Sequence, residues 1–570
     1  VLDRSAARIY ADGSTRQLVH TVALLRTKEA IDRYGEMTIP EGAQLLTFHS
    51  VKPSGEIIEP ELISGKAGLS LRGLEIGDFV EYEFLIDDGP HGYLPGHVDL
   101  SVFRFQSYNI PYHRSELVVM YPAEMPIKVE SRGGAPAATR EERGDRLIQT
   151  WRVDGSGRRG VEPNARNSLD ELPSIRVYTD LDLEAWLDAL ALRVMHAQRS
   201  NPELRLLAKE LTEGIERGNS AEKLRVLWRF VLENIEEAGD ITVGATHTLA
   251  ARKGNRLMLL RTLLREVGIP SELWIGRDRF GPSLKKGGHP MPESYGAPLL
   301  MVWIDGDPIP VLTNSKVVPL GYLPTGLAES SALRVRLADG EPPSGKVKTP
   351  AVAQSLADLR RYDLNIDLDA AGDGLIKGSI TLQGMEAIAW REGLRALDRD
   401  RLNEAFEQAE LSVLAQGASL DLLTFEIDNE RELAKPLVLR FTANARGLGV
   451  HQGQDLVLRA AIVPMNLGLG YAGLPERHTG MVIPYAPIQE AVVRLQFKGF
   501  TLRSLPDPAS ITTEAGGYTR AVDGEPGGSK LVLRTRSRLR PGIIEAADYS
   551  EIVELTRSIR SVEDEVIRAR

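Results

Sequence analysis

The sequence predicts a multidomain α+β protein: an N-terminal β-sandwich, a central α+β core and a C-terminal β-rich domain ending in a helix. Three observations lead to this fold class. Residues 1 to about 170 alternate apolar and polar side chains, a helical period begins near residue 182, and period-two runs return after a Pro- and Gly-rich stretch. We assign the sandwich to 1–175, the core to 176–340, a linker to 341–350 and the C-terminal domain to 351–570.

Length and composition support several folded domains. The chain has 570 residues, of which 42% are hydrophobic and 26% are charged, as expected of ordered protein. Its formal net charge of −10, without a dense basic block, argues against nucleic acid as a partner. Apolar runs such as 297–304 are far shorter than the roughly 20 residues of a transmembrane helix, so we predict no transmembrane segment.

The N-terminal β-sandwich is predicted from short alternating runs between turn signals such as "KPSGE" and "DDGPHG". The runs 79–86, 116–122 and 146–153 are typical of antiparallel strands. The chain begins at Val1, without a signal-peptide pattern, so we expect a fragment or a mature form and leave further upstream domains open.

The α+β core is predicted from two amphipathic helices. The first places Leu224, Leu227, Trp228, Val231 and Ile235 on one face, with Ser220 as the expected N-cap. The second, in "KGNRLMLLRTLLREVGIP" (253–270), has an unusually apolar body, which indicates a central helix buried on most sides.

The C-terminal domain is predicted from period-two runs such as "PLVLRFTANA" and "EAVVRLQFKG". A helical segment near 388–415 interrupts them, and a second helical segment closes the chain from residue 549.

The order of these segments resembles bacterial transglutaminase-like proteins, in which a β-sandwich domain of unknown function precedes a papain-type core. In the first domain the resemblance rests on "YADGST", "VKPSGEIIEPE" and "LRGLEIGDFVEYEF"; in the core it rests on "ARKGNRLMLLRTLLREVGIP" and "PLGYLPTGL". It implies a thiolate at the start of the central helix, a histidine on the next strand, and an Asp on the strand after.

None of these three groups is present at the matching position. The resemblance puts Arg256 where the nucleophile would stand, Ala297 in place of the histidine and Thr313 in place of the Asp. A guanidinium stays protonated and cannot attack a carbonyl, and the chain has no cysteine at all. We therefore interpret the core as a pseudoenzyme, with no catalytic residue, no metal and no cofactor.

The predicted function is that of a non-catalytic binding or scaffold protein that engages a protein or peptide. Arg256 and Asn255, at a helix N-terminus, could bind an anionic group; alternatively, Arg256 pairs with a neighbouring acid and fills the old site. A hydrolase or acyltransferase that uses non-cysteine residues, such as Ser294 or Thr313 with His247 or His289, stays open. The resemblance implies export to the periplasm or cell envelope of a bacterium.

Three other patterns have ordinary explanations beside functional ones. His91 and His97, with Asp87, Asp88 and Asp99, could form a metal site or a surface hairpin. "GLGYAG" (468–473) matches a dinucleotide fingerprint but lacks its βαβ context, which favours a loop. "DGD" (305–307) could supply paired carboxylates, but between two strands it predicts a hairpin turn.

Overall fold

The computed structural model describes residues 1–62, 68–465 and 470–570. The chain divides into two compact units. The first unit comprises Val1–Ala189 and Gly281–Ser294, and the second comprises Leu190–Phe280 and Tyr295–Arg570. No helix in the described ranges combines the length and the apolar character that crossing a bilayer requires.

The first unit is built on a large sheet. From edge to edge its strands are Thr139–Arg143, Arg146–Ser156, Tyr112–Pro122, Leu2–Ile9, Thr15–Leu24, Phe79–Asp88, Ala43–Val51 and Ile57–Ile58. Smaller sheets contain Ile127–Arg132, Ser174–Thr179 and Phe103–Arg104, and also Glu36–Met37, Leu69–Ser70 and Glu61–Leu62. Short helices are Lys28–Tyr34 and Ser168–Glu171, and Pro292–Ser294 is a 3-10 turn.

The predicted sandwich is confirmed by the core of this unit. Val119 and Trp151 of the large sheet pack with Ile175 and Val177 of a smaller sheet. The strands expected at 79–86, 116–122 and 146–153 are all present and have antiparallel neighbours. One pairing differs from the antiparallel expectation, because Leu2–Ile9 lies parallel to Tyr112–Pro122.

The second unit contains the helical region of the core. Its helices are Pro202–Leu211, Ser220–Asn234, Ala245–Ala251 and Arg256–Glu266; Leu183–Val194 leads into it, followed by a 3-10 turn at Met195–Gln198. They accompany an antiparallel sheet with strands Asp307–Val311, Tyr295–Ile304, Ser271–Arg277, Ser331–Val335 and Gly345–Lys348. Glu236–Glu237 and Lys253–Gly254 form a short parallel pair.

The helix Arg256–Glu266, called the central helix below, is buried as its composition predicted. Every residue from Arg256 to Leu264 is buried. Asn255 caps it, because its side-chain oxygen accepts a hydrogen bond from the Met258 N–H at 3.0 Å. The helix ends before Gly268, whose φ of +75° is a left-handed conformation that favours glycine.

Two expectations in this region are corrected. The N-cap of Ser220–Asn234 is Asn219, not Ser220, since the Asn219 side chain accepts from the Glu222 N–H. Part of the predicted linker 341–350 is a strand, Gly345–Lys348, which pairs with Ser331–Val335. Glu341 in the same stretch forms an ion pair with the buried Arg261, so the stretch is anchored to the core by charge as well as by strand pairing.

The rest of the second unit holds another large sheet. Its strands, in spatial order, are Ser419–Asp428, Leu437–Arg446, Gly374–Gln383, Leu359–Leu368, Ile488–Phe497, Lys530–Leu539, Gly516–Asp523 and Ala509–Thr512. Smaller sheets contain Val450–Gln452, Asp455–Arg459, Val566–Ala569 and Leu502–Ser504, and Met481–Ile483 with Gly542–Ile544. The helices Met385–Ala396, Leu402–Ala409 and Tyr549–Glu563 pack beside them, with 3-10 turns at Gln354–Leu356, Arg399–Arg401, Leu411–Val413 and Ala546–Asp548.

The closing helix is Tyr549–Glu563, and it packs through Ile552, Leu555 and Ile559. The domain was expected to end in this helix, but the short strand Val566–Ala569 follows it and pairs with Asp455–Arg459, which ties the end of the chain to a sheet. The predicted helical segment near 388–415 is also confirmed, and the Phe406 side chain anchors it in the core of the large sheet.

A half-buried carboxyl in the closing helix makes stability depend on pH. Burial raises the pKa of Glu563 from 4.5 to about 7, although the Met465 N–H, which donates to its carboxylate at 2.9 Å, opposes the shift. Between pH 4.5 and about 7, Glu563 therefore stays protonated in the folded chain but is ionised in the unfolded chain. Stability should fall by on the order of 3 kcal/mol as the pH rises through this window.

Glu563→Gln tests this dependence, because its amide oxygen can still accept from the Met465 N–H. The midpoint of thermal unfolding, measured from pH 4 to 8, should decline less steeply in the variant than in the parent. Parallel curves for the two proteins would show that Glu563 does not titrate in this range.

Candidate functional site

The predicted site lies at the start of the central helix, where the structure brings Arg256 and Thr313 together. The Arg256 guanidinium is buried and donates from Nη1 to the Thr313 carbonyl oxygen at 3.1 Å. It also donates from Nε to the carbonyl oxygen of Ile235 at 2.8 Å. The side chain thus joins three chain segments by hydrogen bonds to backbone oxygens, and only 3% of the residue is exposed.

An internal carboxylate occupies the N-terminus of this helix. Glu237 accepts from the Arg256 backbone N–H at 3.3 Å and from the Asn255 side-chain amide at 3.4 Å. Its carboxylate also lies 3.9 Å from the Arg256 Nε. An anion is stabilised at such a helix end, so Glu237 already provides the charge that an external ligand would bring. An acidic ligand would have to displace it.

The electrostatics of this pair follow from burial. Burial lowers the pKa of Arg256, and the neighbouring Glu237 opposes that shift. Burial likewise raises the pKa of Glu237, against the Arg256 backbone N–H and the charge of the guanidinium. Because the ordinary pKa of a guanidinium lies far above neutral pH, Arg256 remains a cation despite this shift and cannot act as a base.

The position just before Asn255 and the central helix requires a glycine, Gly254. Gly254 has a φ of +150°, and a Cβ there would lie 2.3 Å from the Thr248 hydroxyl oxygen. The segment before Asn255 is therefore held close to the helix Ala245–Ala251, which fixes where the central helix begins.

The position matched to the histidine supplies no titratable group. Ala297 lies on the strand Tyr295–Ile304 and pairs with Gly276, on the face that Leu299 and Met301 share. Its neighbours Gly296 and Pro298 also have no proton-transfer group, so a shift of one residue in the comparison gives the same result. Thr313 is buried just beyond the strand Asp307–Val311.

A second cluster of titratable groups lies in the first unit. Asp99, His289 and Glu293 place ligand atoms within 4.8 Å of one another. Arg176 joins the two carboxylates, donating from Nε to Asp99 Oδ1 at 2.7 Å and from Nη1 to Glu293 at 2.7 Å. Burial opposes the charge of Arg176, but these two hydrogen-bonded carboxylates raise its pKa overall.

The hydrogen bonds of His289 argue against a metal ion in this cluster. Its Nδ1 accepts from the Met291 N–H at 3.0 Å, so the ring proton is on Nε2, which lies 3.6 Å from Asp99. A neutral imidazole with both nitrogens so assigned has no lone pair for a metal, and the Arg176 cation repels one. Burial lowers the pKa of His289, which favours this neutral form.

The structure brings only some residues of the predicted histidine and aspartate pattern (87–99) to this cluster. His97 stacks near His289 with ring centroids 6.5 Å apart, and its Nδ1 lies 3.1 Å from the Thr179 hydroxyl. Asp99 joins the cluster, whereas Asp87 pairs with Arg16. Sequence reasoning missed Arg176 and Glu293, which come from distant segments and carry no motif.

The remaining sequence candidates are placed as follows. Asp305 and Gly306 form the predicted turn between Tyr295–Ile304 and Asp307–Val311. Ser294 donates from its hydroxyl to the Met291 carbonyl, and His247 is exposed on the helix Ala245–Ala251. Gly468 of "GLGYAG" lies outside the described residues.

Comparisons with known proteins agree with this architecture. Residues 66–156 match the family model of a domain of unknown function, DUF3857. The structure is similar to the crystal structure of a Parabacteroides distasonis ATCC 8503 protein provisionally described as a protease. The TM-score is 0.62 at 16% identity, over 100% of this chain and 98% of that chain. A search of curated proteins found no match. At this identity the likeness is one of fold alone, and it supports a β-rich, multidomain α+β architecture.

Proposed function

We propose that this chain is a non-catalytic protein- or peptide-binding scaffold built on a transglutaminase-like core. One observation carries the proposal: the side chain at the nucleophile position, Arg256, is a buried cation tied to the carbonyl oxygens of Ile235 and Thr313. Acyl transfer needs a nucleophile that can reach a substrate carbonyl and a base that can take its proton. Arg256 is neither, and it closes the position to substrate.

The surroundings of Arg256 support the same proposal. Positions 296–298 supply no base, and Glu237 is already engaged by the Asn255 amide and the Arg256 N–H. The leucines of the central helix are buried, so the helix packs as the centre of the core. The hydrogen bonds at its first turn are made within the chain and serve the structure. A fold kept without its catalytic groups is available for binding. By resemblance to exported proteins, we propose that the chain acts in a bacterial cell envelope.

A turnover screen tests the proposal directly. The purified chain should show no hydrolysis or transfer above buffer with amide, ester and peptidoglycan-peptide substrates. A protein captured from the native source should bind the purified chain in a reconstituted assay. Reproducible turnover that is abolished by a core substitution, such as Glu237→Gln, would overturn the proposal and establish the hydrolase or acyltransferase alternative.

A further inference from the structure

The second unit contains a large cavity beside the Arg256 site. Its volume is about 760 Å³. It is lined by the helices Ser220–Asn234 and Met385–Ala396, by residues 316–320 that follow Thr313, and by the loop around 430–434. A cavity of this volume falls in the range that encloses ligands of several chemical groups.

The lining of this cavity is strongly cationic. Its charged side chains are Arg225, Arg229, Lys316, Arg391, Arg395 and Arg431, with the carboxylates Glu233 and Glu430. Arg225 forms an ion pair with Glu222, and Glu430 pairs with Arg399. Within the described part of the chain, Arg229, Lys316, Arg395 and Arg431 form no ion pair, so the cavity holds an excess of uncompensated positive charge.

Two buried donors on the same lining lack acceptors. Trp228 is 5% exposed and Arg391 is 2% exposed. Among the described residues, the Trp228 Nε1 and the Arg391 Nη1 have no hydrogen-bond partner. A buried donor without an acceptor costs free energy, but both nitrogens are themselves inaccessible, so the cationic charge of the lining, and not these donors, carries the argument for a ligand.

Lys316 shows the effect of the clustered charge. Burial lowers its pKa, and the nearby cations Arg256 and Arg395 lower the pKa further. Mutual repulsion of this kind is relieved when an anion binds between the cations. The Lys316 position also links the cavity to the Arg256 site, three residues along the chain from Thr313.

We propose that this cavity binds an acidic peptide segment, whose carboxylates accept hydrogen bonds from Arg229, Arg395 and Lys316. The inference deepens the proposed function and rests on it. Peptide is favoured over a small inorganic anion because the cavity far exceeds the volume of one such ion. Apolar side chains separate the cations, among them Leu232, Val317 and Leu394, and these would pack against the apolar residues of the peptide.

A fluorescence-anisotropy assay with the full chain tests the proposal. The probe is a labelled hexapeptide of alternating Glu and Leu, and its control has Gln in place of every Glu. The double variant Arg229→Glu with Arg395→Glu removes two exposed cations from the lining. The matched control, Arg205→Glu with Lys209→Glu, makes the same charge change on the exposed face of Pro202–Leu211, outside the cavity.

The Glu peptide should bind at least about tenfold more tightly than the Gln peptide, and the cavity variant should lose at least about tenfold in affinity while the matched control keeps it. No binding of the Glu peptide, or equal losses in both variants, would overturn the inference. Displacement of the peptide by inorganic phosphate at equal concentration would show a simple anion site and would also overturn the inference.

Two results separate this inference from the proposed function. If the cavity variant still binds the captured partner normally, the peptide inference is wrong but the proposed function stands. Turnover in the substrate screen would instead overturn the proposed function.

Discussion

Replacing Arg256 by alanine should lower the free energy of unfolding of the core by about 3 kcal/mol. The change removes two buried hydrogen bonds from a charged donor, those to the carbonyl oxygens of Ile235 and Thr313, and leaves both acceptors unpaired. It also leaves Glu237 without the nearby cation that offsets its burial. Urea unfolding followed by tryptophan fluorescence measures the loss.

Two further variants separate the causes of this effect. Arg256→Lys keeps a charge but cannot reproduce the two-pronged hydrogen bonding of a guanidinium, so we expect an intermediate loss. Asn255→Ala removes only the helix cap and should cost about 1 kcal/mol. An Arg256→Ala variant as stable as the parent would refute the structural role. A weaker affinity for acidic ligands in that variant would then favour the anion-binding hypothesis for Arg256 and Asn255.

Replacing Arg391 by alanine should destabilise the second unit by about 3 kcal/mol or more. This buried side chain donates from Nε to the Glu430 carbonyl oxygen at 3.2 Å. Its Nη2 lies 3.0–3.1 Å from three further carbonyl oxygens, those of Asn429, Glu432 and Lys435. One guanidinium therefore holds the whole loop between the strands Ser419–Asp428 and Leu437–Arg446.

Arg391→Met is the matched control for side-chain volume. It fills much of the same space without donating a hydrogen bond, so a loss close to that of the alanine variant would assign the effect to the carbonyl contacts. Limited proteolysis should then cut both variants within 429–435, a segment that should resist cleavage in the parent. Recovery of parental stability in Arg391→Met would show that packing, not hydrogen bonding, is what matters.

The sequence predicted which residues lie at the start of the central helix, but not which groups they contact. The sequence placed Arg256 at the first position of the central helix with Asn255 before it, and the Asn255 cap confirms that start. It also matched Thr313 to a position that now contacts Arg256. It gave no sign that Glu237 would occupy the helix N-terminus, because that carboxylate arrives through a two-residue strand pairing, Glu236–Glu237 with Lys253–Gly254.

The sequence likewise could not predict the cluster around Arg176 or the cationic cavity, because both combine distant segments. Asp99, Arg176 and His289 are separated by dozens of residues and are brought together by sheet pairing and by the return of 281–294 to the first unit. The cationic cavity combines a core helix with a helix and a loop of the C-terminal region. No periodicity or spacing within one segment could have joined them.

Local patterns in the sequence were enough to predict which segments form helices and strands, and its composition was enough to exclude a cysteine nucleophile. Period-two and helical patterns fix which face of each segment is apolar, and the absence of cysteine removes thiol catalysis whatever the fold. The hydrogen bonds of Arg256 to Ile235 and Thr313, the position of Glu237 beside it and the clustering of cations around the cavity became evident from the folded structure alone. These depend on contacts between distant segments, which arise when separate apolar faces are buried together and the polar groups left inside must find partners.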